Sequence, residues 1–362
     1  MKIIDRYVLG KFLTTFFFCL LMMTLIVVVI DWSEHADDFL KSRLSFSRIL
    51  TDYYAGLIPR INAMLFPLFV FISVIFFTAK MADRTEIVAI LSSGVSFGRF
   101  LVPYWIGGIL LSALLWVGNQ QLLPRANTIW SNFETRYIGG ALDYATTAFP
   151  KNFYFRLDSN SYAGMRYFDT TSRSGGVFFI QRFQNNRLVY NLRAESIGWD
   201  STAKAWQLNK VLERRFNGDI ETITTTPQKK VKYNFKPRDL RKDEFLKDRL
   251  TTPELKELIR LEKIRGKEGI NSLLVERYNR DAIPISVLIL TIIGATIASR
   301  KVRGGSGFHL AIGVLLSVSY ILCSRFSIVF ATKGNFHPLL AAWLPNIVFG
   351  ILALVLYRKA AS

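Results

Sequence analysis

Cysteine and histidine are scarce in this chain, and neither is clustered. Cys19 and Cys323 each lie inside an apolar run, so the sequence offers no disulfide framework and no CxxC pair. His35, His309 and His337 are far apart, without the spacing that a histidine metal site needs, and no metal is expected. Acidic residues are also few: 27 Asp+Glu stand against 46 Lys+Arg, a formal charge of +19. A surplus of that size suggests nucleic acid or an anionic surface as a partner. Yet only 20% of the residues are charged while 51% are hydrophobic and 29 are Phe, which excludes a disordered basic tail and an ordinary soluble nucleic-acid module. Phosphate-cradling glycine loops are missing too. No G-x-x-x-x-G-K-[ST] occurs: Arg265-Gly266-Lys267 lacks the upstream glycine, and Arg303-Gly304-Gly305-Ser306-Gly307 lacks the lysine after its last glycine. This absence points to a chain that does not itself hydrolyse ATP.

What is abundant is uncharged apolar sequence. Six stretches, 12–30, 61–79, 100–124, 282–299, 304–324 and 334–357, contain no Asp, Glu, Lys or Arg. Each reaches or approaches the roughly 20 residues a helix needs to cross about 30 Å of hydrocarbon. Snorkelling flanks such as Lys11, Arg277 and Arg280 are expected to extend the shortest ones. The first run is too long for a signal-peptide core and is followed by Asp31-Trp32-Ser33-Glu34 rather than a small-residue cleavage site, so it reads as a retained helix. An even number of spans places both termini on one side of the membrane. The basic residues of the N-terminal tail (Lys2, Arg6, Lys11), the 80–99 segment (Lys80, Arg84, Arg99), the 300–303 loop (Arg300, Lys301, Arg303) and the C-terminal tail (Arg358, Lys359) assign that side to the cytoplasm. The loop expected after the first span is acid-rich, with Asp31, Glu34, Asp37, Asp38 and Asp52.

These runs divide the chain into 1–124 (three spans), a soluble insert at 125–276, and 277–362 (three more spans). The insert holds about half of the positive surplus and is long enough to translocate whatever its charge. Short β-rich runs fill its first two-thirds, at 153–157, 161–168, 177–183, 187–199, 204–216, 220–226 and 230–235. Turn signals separate them: Asp158-Ser159-Asn160, Ser174-Gly175-Gly176, Asn185-Asn186 and Asn217-Gly218, the last suited to a type I′ hairpin. The spacing predicts a sandwich or jellyroll. Thr251-Thr252-Pro253-Glu254 then predicts a capped helix start, leading to a return helix that ends near Gly266. The fold class expected is an α-helical membrane protein of six spans, three plus three, with an inserted all-β, jellyroll-like domain.

Charged residues are absent from spans one to four and six, which disfavours a proton- or sodium-coupled carrier. Energy for any transport is then expected through a partner. A docking point for one lies in Lys80 to Gly94, read as an amphipathic helix over about 82–92, with Ile87, Ile90 and Leu91 on one face and Gly94 as a left-handed terminator.

The run Arg84-Thr85-Glu86-Ile87-Val88-Ala89-Ile90-Leu91-Ser92-Ser93-Gly94 carries a resemblance. So do Pro59…Phe66-Pro67, Tyr278…Pro284-Ile285-Ser286 and Pro338-Leu339-Leu340-Ala341-Ala342-Trp343-Leu344-Pro345. Together they resemble the lipopolysaccharide-export permeases LptF and LptG, the YjgP/YjgQ family, over nearly the whole chain. The resemblance implies an inner-membrane permease subunit of an ABC exporter, without catalytic residues or cofactors of its own, ATP and Mg being used by the partner ATPase. It implies pairing with a second LptF/LptG-type permease, an LptB-like ATPase dimer beneath, and LptC-like and LptA-like proteins continuing a periplasmic β-jellyroll bridge. Lipopolysaccharide is the implied substrate, and nucleic acid is no longer needed to account for the charge.

The resemblance also implies that Arg84, Glu86, Ile87, Ile90, Leu91 and Gly94 form the ATPase-facing segment, Glu86 standing at the position of the family's acidic contact. The chain departs from the LptG type at the outer end of the first span. There it has Asp31, Glu34, Asp37 and Asp38 where lysines often meet lipid phosphates, with Lys41 and Arg43 only further on. Cations for an anionic lipid are therefore sought at Arg60, Arg325 and Lys41. A second reading from another class is a membrane scaffold that couples a cytoplasmic ATPase to the β-domain without moving lipid.

Overall fold

The computed structural model describes residues 3–138, 153–158, 160–169, 172–218, 220–237, 245–265, 269–300, 305–334 and 336–361. These form two compact units: a helical one (residues to Glu134, Lys247–Leu255 and from Asn271) and a β-rich one (Thr135–Leu246 and Lys256–Ile270).

Six helical segments of the first unit are long and apolar enough to cross a membrane: α1 (Ile3–Ser42), α2 (Phe46–Asp83), α4 (Phe97–Ile138), α7 (Ile270–Ala298), α8 (Gly305–Lys333) and α9 (Pro338–Ala361). Between α2 and α4 lies a seven-residue helix, α3 (Glu86–Ser92). The spans exceed the uncharged runs because polar residues continue the helices beyond them. Asp31, Glu34, Asp37 and Asp38 are not in a loop; they ride on the last three turns of α1. There Asp31 accepts a hydrogen bond from the Tyr53 hydroxyl at 3.0 Å, inside an aromatic cluster of Trp32, Phe39, Tyr53, Tyr54 and Phe133. Likewise α4 runs through Pro124, which its Leu123–Phe133 portion accepts in the first turn, where a missing N–H is harmless.

Proline is also tolerated inside spans. Pro59 and Pro67 lie within α2, Pro284 within α7 and Pro345 within α9. Around Pro284 neighbouring helices bond to the backbone: Ser112 donates to the Pro284 carbonyl at 2.7 Å, and Asn346 to that of Ala282 at 2.7 Å. Side chains from adjacent helices satisfy backbone polar groups that no water reaches in hydrocarbon. Gly56 permits a close backbone contact between helices, since a Cβ there would lie 2.5 Å from the backbone of Ala126 and Trp130. Exposure separates the spans: 6% of the most apolar window of α1 is buried against 67% in α7, so α7 is the central helix and α1 a peripheral one. Gly305, Ser306 and Gly307, the start of the uncharged run 304–324, form the first turn of α8. Lys301, Arg303 and Gly304 lie outside the described residues, as do Gly266, Lys267 and Ser159.

The second unit holds seven strands: β1 (Phe153–Arg156), β2 (Ser161–Met165), β3 (Tyr167–Asp169), β4 (Ser174–Gln184), β5 (Arg187–Asp200), β6 (Ala205–Asn217) and β7 (Ile220–Val231). All pair antiparallel in one sheet of order β1-β2-β4-β5-β6-β7, with β3 on β4. Of the sandwich or jellyroll expected for the insert, the described residues form a single antiparallel sheet that curls. Neighbouring strands lie about 4.8 Å apart, so β3 and β6, three steps away, would be roughly 14 Å apart if flat. Phe168 of β3 and Trp206 of β6 instead have ring centroids 6.0 Å apart. Beyond β7, Phe235 stacks edge-on with Phe155 of β1 at 4.9 Å, and Asn234 donates to the Leu157 carbonyl at 2.8 Å, drawing the two ends of the sheet together. The concave side encloses Phe178, Leu192, Trp206, Leu208 and Val211, with the Trp206 indole N–H satisfied by the Phe235 carbonyl.

Turn chemistry sets the register. Asn185 (φ 50°) and Asn186 (φ 60°) both adopt the left-handed region between β4 and β5, as a type I′ turn requires. At the expected Asn217-Gly218 turn, Asn217 still pairs with Ile220 and Gly218 takes the left-handed conformation (φ 65°). The expected strand 161–168 breaks into β2 and β3, and the two expected over 220–235 are one strand, β7, with Tyr233 and Phe235 turned onto the core.

Two short helices follow, α5 (Leu246–Arg249) and α6 (Thr252–Arg265). The glutamate arm of the expected capping box forms: Glu254 accepts from the Thr251 N–H at 2.8 Å and also from the Thr251 hydroxyl at 2.6 Å. The Thr251 contacts, side chain before backbone, hold the Glu254 carboxyl below the usual carboxylate range.

Candidate functional site: a polar cleft in the helical unit

A cleft of about 380 Å³ opens within the helical unit, lined by α2, α4, α5, α7 and α8. Apolar walls from Met64, Pro67, Leu68 and Ile321 surround an inner surface that is unusually polar for the interior of a span bundle. Arg60 and Arg325, selected from the sequence on charge and depth alone, both line it. Arg60 lies flat on Trp130, its guanidinium carbon 3.9 Å from the ring centroid, in cation–π geometry. The close approach at Gly56, one turn earlier on α2, is what brings Trp130 within reach. Arg325 extends from α8 to within 3.7 Å of the Met64 sulfur, one turn beyond Arg60 on α2. Two arginines from distant parts of the sequence thus share one cavity. Lys41 is not brought there: it is exposed in the last turn of α1 and does not line the cleft.

The cleft also contains Lys247, Asp248 and Glu276, which the sequence did not single out, and Arg280, expected only as a snorkelling flank. Arg277 and Arg280 do not snorkel. Arg277 pairs with Asp281 at 2.5 Å, and Arg280 is 5% exposed and paired with Glu276 at 3.1 Å. Both pairs are one turn apart on α7, the i,i+4 spacing that matches acid to base on a helix face. That spacing was present in the sequence, but which face turned inward was not.

A second candidate site surrounds α3. Its expected span of about 82–92 is divided: Ala82 and Asp83 complete α2, and the chain breaks at Arg84-Thr85 before Glu86. Thr85 has φ 62°, a left-handed conformation that a β-branched residue adopts only where surrounding contacts enforce it. Gly94 terminates the segment at φ 87°, as its position predicts. Ile87 is 1% exposed, and it packs with Ile90 and Leu91 into the core shared by α1, α2 and α4. The face left open carries Arg84, Val88, Ala89 and Ser92. Glu86 stands at the rim, accepting a hydrogen bond from the Tyr7 hydroxyl at 3.1 Å. An ion pair between Asp5 and Arg99 at 2.7 Å pins the first turns of α1 and α4 beside it. The arrangement is a short rigid lever seated on three spans, presenting one polar edge.

A search among curated proteins gives no match. A family model described as "Lipopolysaccharide export system permease LptF/LptG" matches residues 6–359, nearly the whole chain.

Proposed function

The chain belongs to the lipopolysaccharide export system permease family LptF/LptG, and from that premise we propose that its polar cleft receives the anionic headgroup of lipopolysaccharide during extraction from the inner membrane. It is a permease transport subunit and a multi-pass inner-membrane protein. In our reading both termini and α3 face the cytoplasm and the curled sheet stands in the periplasm. ATP is hydrolysed with Mg by an LptB-like ATPase dimer, which meets the open edge of α3 through Arg84 and Glu86. Ile87, Ile90 and Leu91 seat that lever on the bundle, and Gly94 ends it. A second LptF/LptG-type permease covers the exposed apolar faces of α1 and α8, and LptC-like and LptA-like proteins extend the sheet into a bridge toward the outer membrane.

The observation that carries this reading is the presence of Arg60 and Arg325 in one cavity inside an apolar bundle. An arginine at the bilayer centre costs about 2.5–3.5 kcal/mol on insertion scales and much less near an interface, and Arg60 and Arg325 flank the uncharged runs 61–79 and 304–324. Two in the same cleft supply the positive potential that a phosphorylated headgroup needs, in surroundings where each charge-assisted bond is strengthened. Apolar walls on α2 and α8 are suited to the acyl chains. Closure of the ATPase, transmitted through α3 to α2 and α4, would narrow the cleft and lift the lipid toward the sheet, a rigid-body transition.

The test is to purify the chain with its membrane partners, place photocrosslinkers at Met64, Ser324 and a concave position of the sheet, and follow lipopolysaccharide adducts. Adducts in the cleft that reach the sheet only with ATP support export. An ATPase that co-purifies while no lipid adduct forms at any position favours the scaffold reading and overturns ours. Charge reversal, Arg325→Glu or Arg60→Glu, is expected to lower cleft adducts and lipid-stimulated ATP hydrolysis together.

A further inference from the structure

Among the described residues Arg280 alone of the lysines and arginines is fully buried, and the lipid contacts proposed above do not use it. Its guanidinium is spread over three partners. Nε donates to Glu276 Oε1 at 3.1 Å, Nη1 to the Thr252 hydroxyl at 3.2 Å and Nη2 to the Lys247 carbonyl at 3.0 Å. Two of these three lie on one short stretch, 247–252. The same stretch is gripped from α4, where Asn127 donates to the Asp248 carbonyl at 2.9 Å and Gln120 accepts from the Thr252 hydroxyl. Lys247–Leu255 is thus a strap that belongs to the helical unit, although the residues on both sides of it, 135–246 and 256–270, belong to the β unit. Lys247 and Asp248 of the strap line the cleft.

A planar fork with five donors can pair with an acid on its own helix and still hold two acceptors on another segment; an ammonium on a flexible stem cannot do both. With Glu276 beside it, Arg280 has its charge matched locally, which suits it to holding structure rather than receiving an anion. We propose that Arg280 is a positioning residue: by gripping the Lys247 carbonyl and the Thr252 hydroxyl it seats the 247–255 strap, so that Lys247 and Asp248 form a wall of the headgroup cleft. This inference rests on the reading of the cleft as the lipopolysaccharide site. The seat of the strap then sets the width and charge balance of the cleft, and with them the affinity for lipid, while the rate of ATP turnover at saturation is set elsewhere.

The test uses the full chain in its assembled complex, in a Cys19→Ser, Cys323→Ser background, titrated with lipopolysaccharide while ATP hydrolysis is followed. Arg280→Lys keeps a cation beside Glu276 and loses the grip on the strap. The lipid concentration for half-maximal stimulation should rise about tenfold with the maximal rate held within about twofold, the scale expected when buried hydrogen bonds to a charged group are lost. Thr252→Val, which leaves the Arg280–Glu276 pair intact, should give a smaller shift of about threefold. A short bis-thiol cross-linker joining Asn127→Cys to Asp248→Cys should bring the half-maximal concentration of Arg280→Lys back to that of the same cross-linked cysteine pair with Arg280 intact, which a lost structural charge could not explain. Failure of the cross-link to restore it, or a fall in maximal rate at an unchanged half-maximal concentration, overturns the proposal. Should Arg280→Lys fail to assemble, the Thr252→Val titration and its rescue by the same cross-link decide the matter. A photocrosslinker at Ser324 in the parent separates the two levels. No lipid adduct there defeats the headgroup reading itself, whereas an adduct together with an unmoved titration in both variants defeats only the strap.

Discussion

The helical unit and the β unit are built inside out with respect to each other. In the β unit the interior is apolar, with Phe178, Trp206, Leu208 and Val211 essentially unexposed. Most of its charges lie outside, in exposed pairs such as Lys210–Glu195 at 2.6 Å and Lys230–Asp200 at 2.7 Å, with Glu213 and Glu262 the buried acids among its described residues. In the helical unit Phe18, Leu315, Phe330 and Leu354 face outward, each more than 60% exposed, while Arg280, Asn346, Ser112 and Thr291 are buried. One chain therefore carries two solutions to two solvents. Water drives apolar groups into the sheet's concavity. Hydrocarbon gives no such drive between helices, so polar side chains are kept inside where backbone carbonyls and one another can satisfy them.

The contrast can be broken most severely at its two centres. Trp206→Ala removes the largest fully buried side chain of the β unit together with its bond to Phe235, and should destabilise that unit by about 3–5 kcal/mol, seen as early cleavage of residues 153–237 in limited proteolysis of the full chain. Arg280→Met leaves the half-buried Glu276 without its cation and should cost the helical unit about 3 kcal/mol; the double variant Arg280→Met, Glu276→Met should recover most of that loss in a thermal-unfolding assay.

Gly56→Ala should be next, at about 1–3 kcal/mol, because a methyl there collides with the α4 backbone, and photocrosslinking from position 60 should report the displacement of Trp130. Thr251→Ala removes the hydroxyl that donates to Glu254 at the start of α6, for about 1 kcal/mol. The Glu254 partner adds a pH signature. Because its carboxyl is held below the ordinary value, its contribution is complete above the unfolded carboxylate pKa of about 4.3 and is lost as pH falls through the depressed value. Glu254→Gln should therefore flatten the acid limb of a stability–pH profile below that point. The smallest effect belongs to the lipid-facing surface: Leu315→Ala, 66% exposed on α8, should leave the unfolding midpoint unchanged, against the large loss at Trp206.

The number of spans, the all-β insert and the capped return helix were legible because each depends on a local signal: uncharged length, alternation between turn residues, or a threonine three positions before a glutamate. The lengths of the spans were not. The acids at 31–38 looked like a loop since charge ends an apolar run, yet helical backbone continues through them while Tyr53 and the aromatic cluster cover their inner side. The break at Thr85 was missed for the opposite reason: the side-chain pattern from Lys80 to Leu91 is compatible with one helix, and only packing against three spans imposes a left-handed residue. Of the cations suggested for an anionic lipid, Arg60 and Arg325 meet and Lys41 does not, a distinction that depends on helix rotation rather than composition.

The sequence by itself determined how many times the chain can cross a membrane, between which spans its sheet is inserted, and that it carries no G-x-x-x-x-G-K-[ST] motif. These follow from residue type and spacing along one dimension. Tertiary structure alone decided that α2 and α8 face each other across a cleft, that Arg280 turns inward to hold the 247–255 strap, and that the sheet curls until Phe168 meets Trp206. Each of those brings together residues far apart in sequence, and their pairing depends on which faces of the helices and sheet are buried.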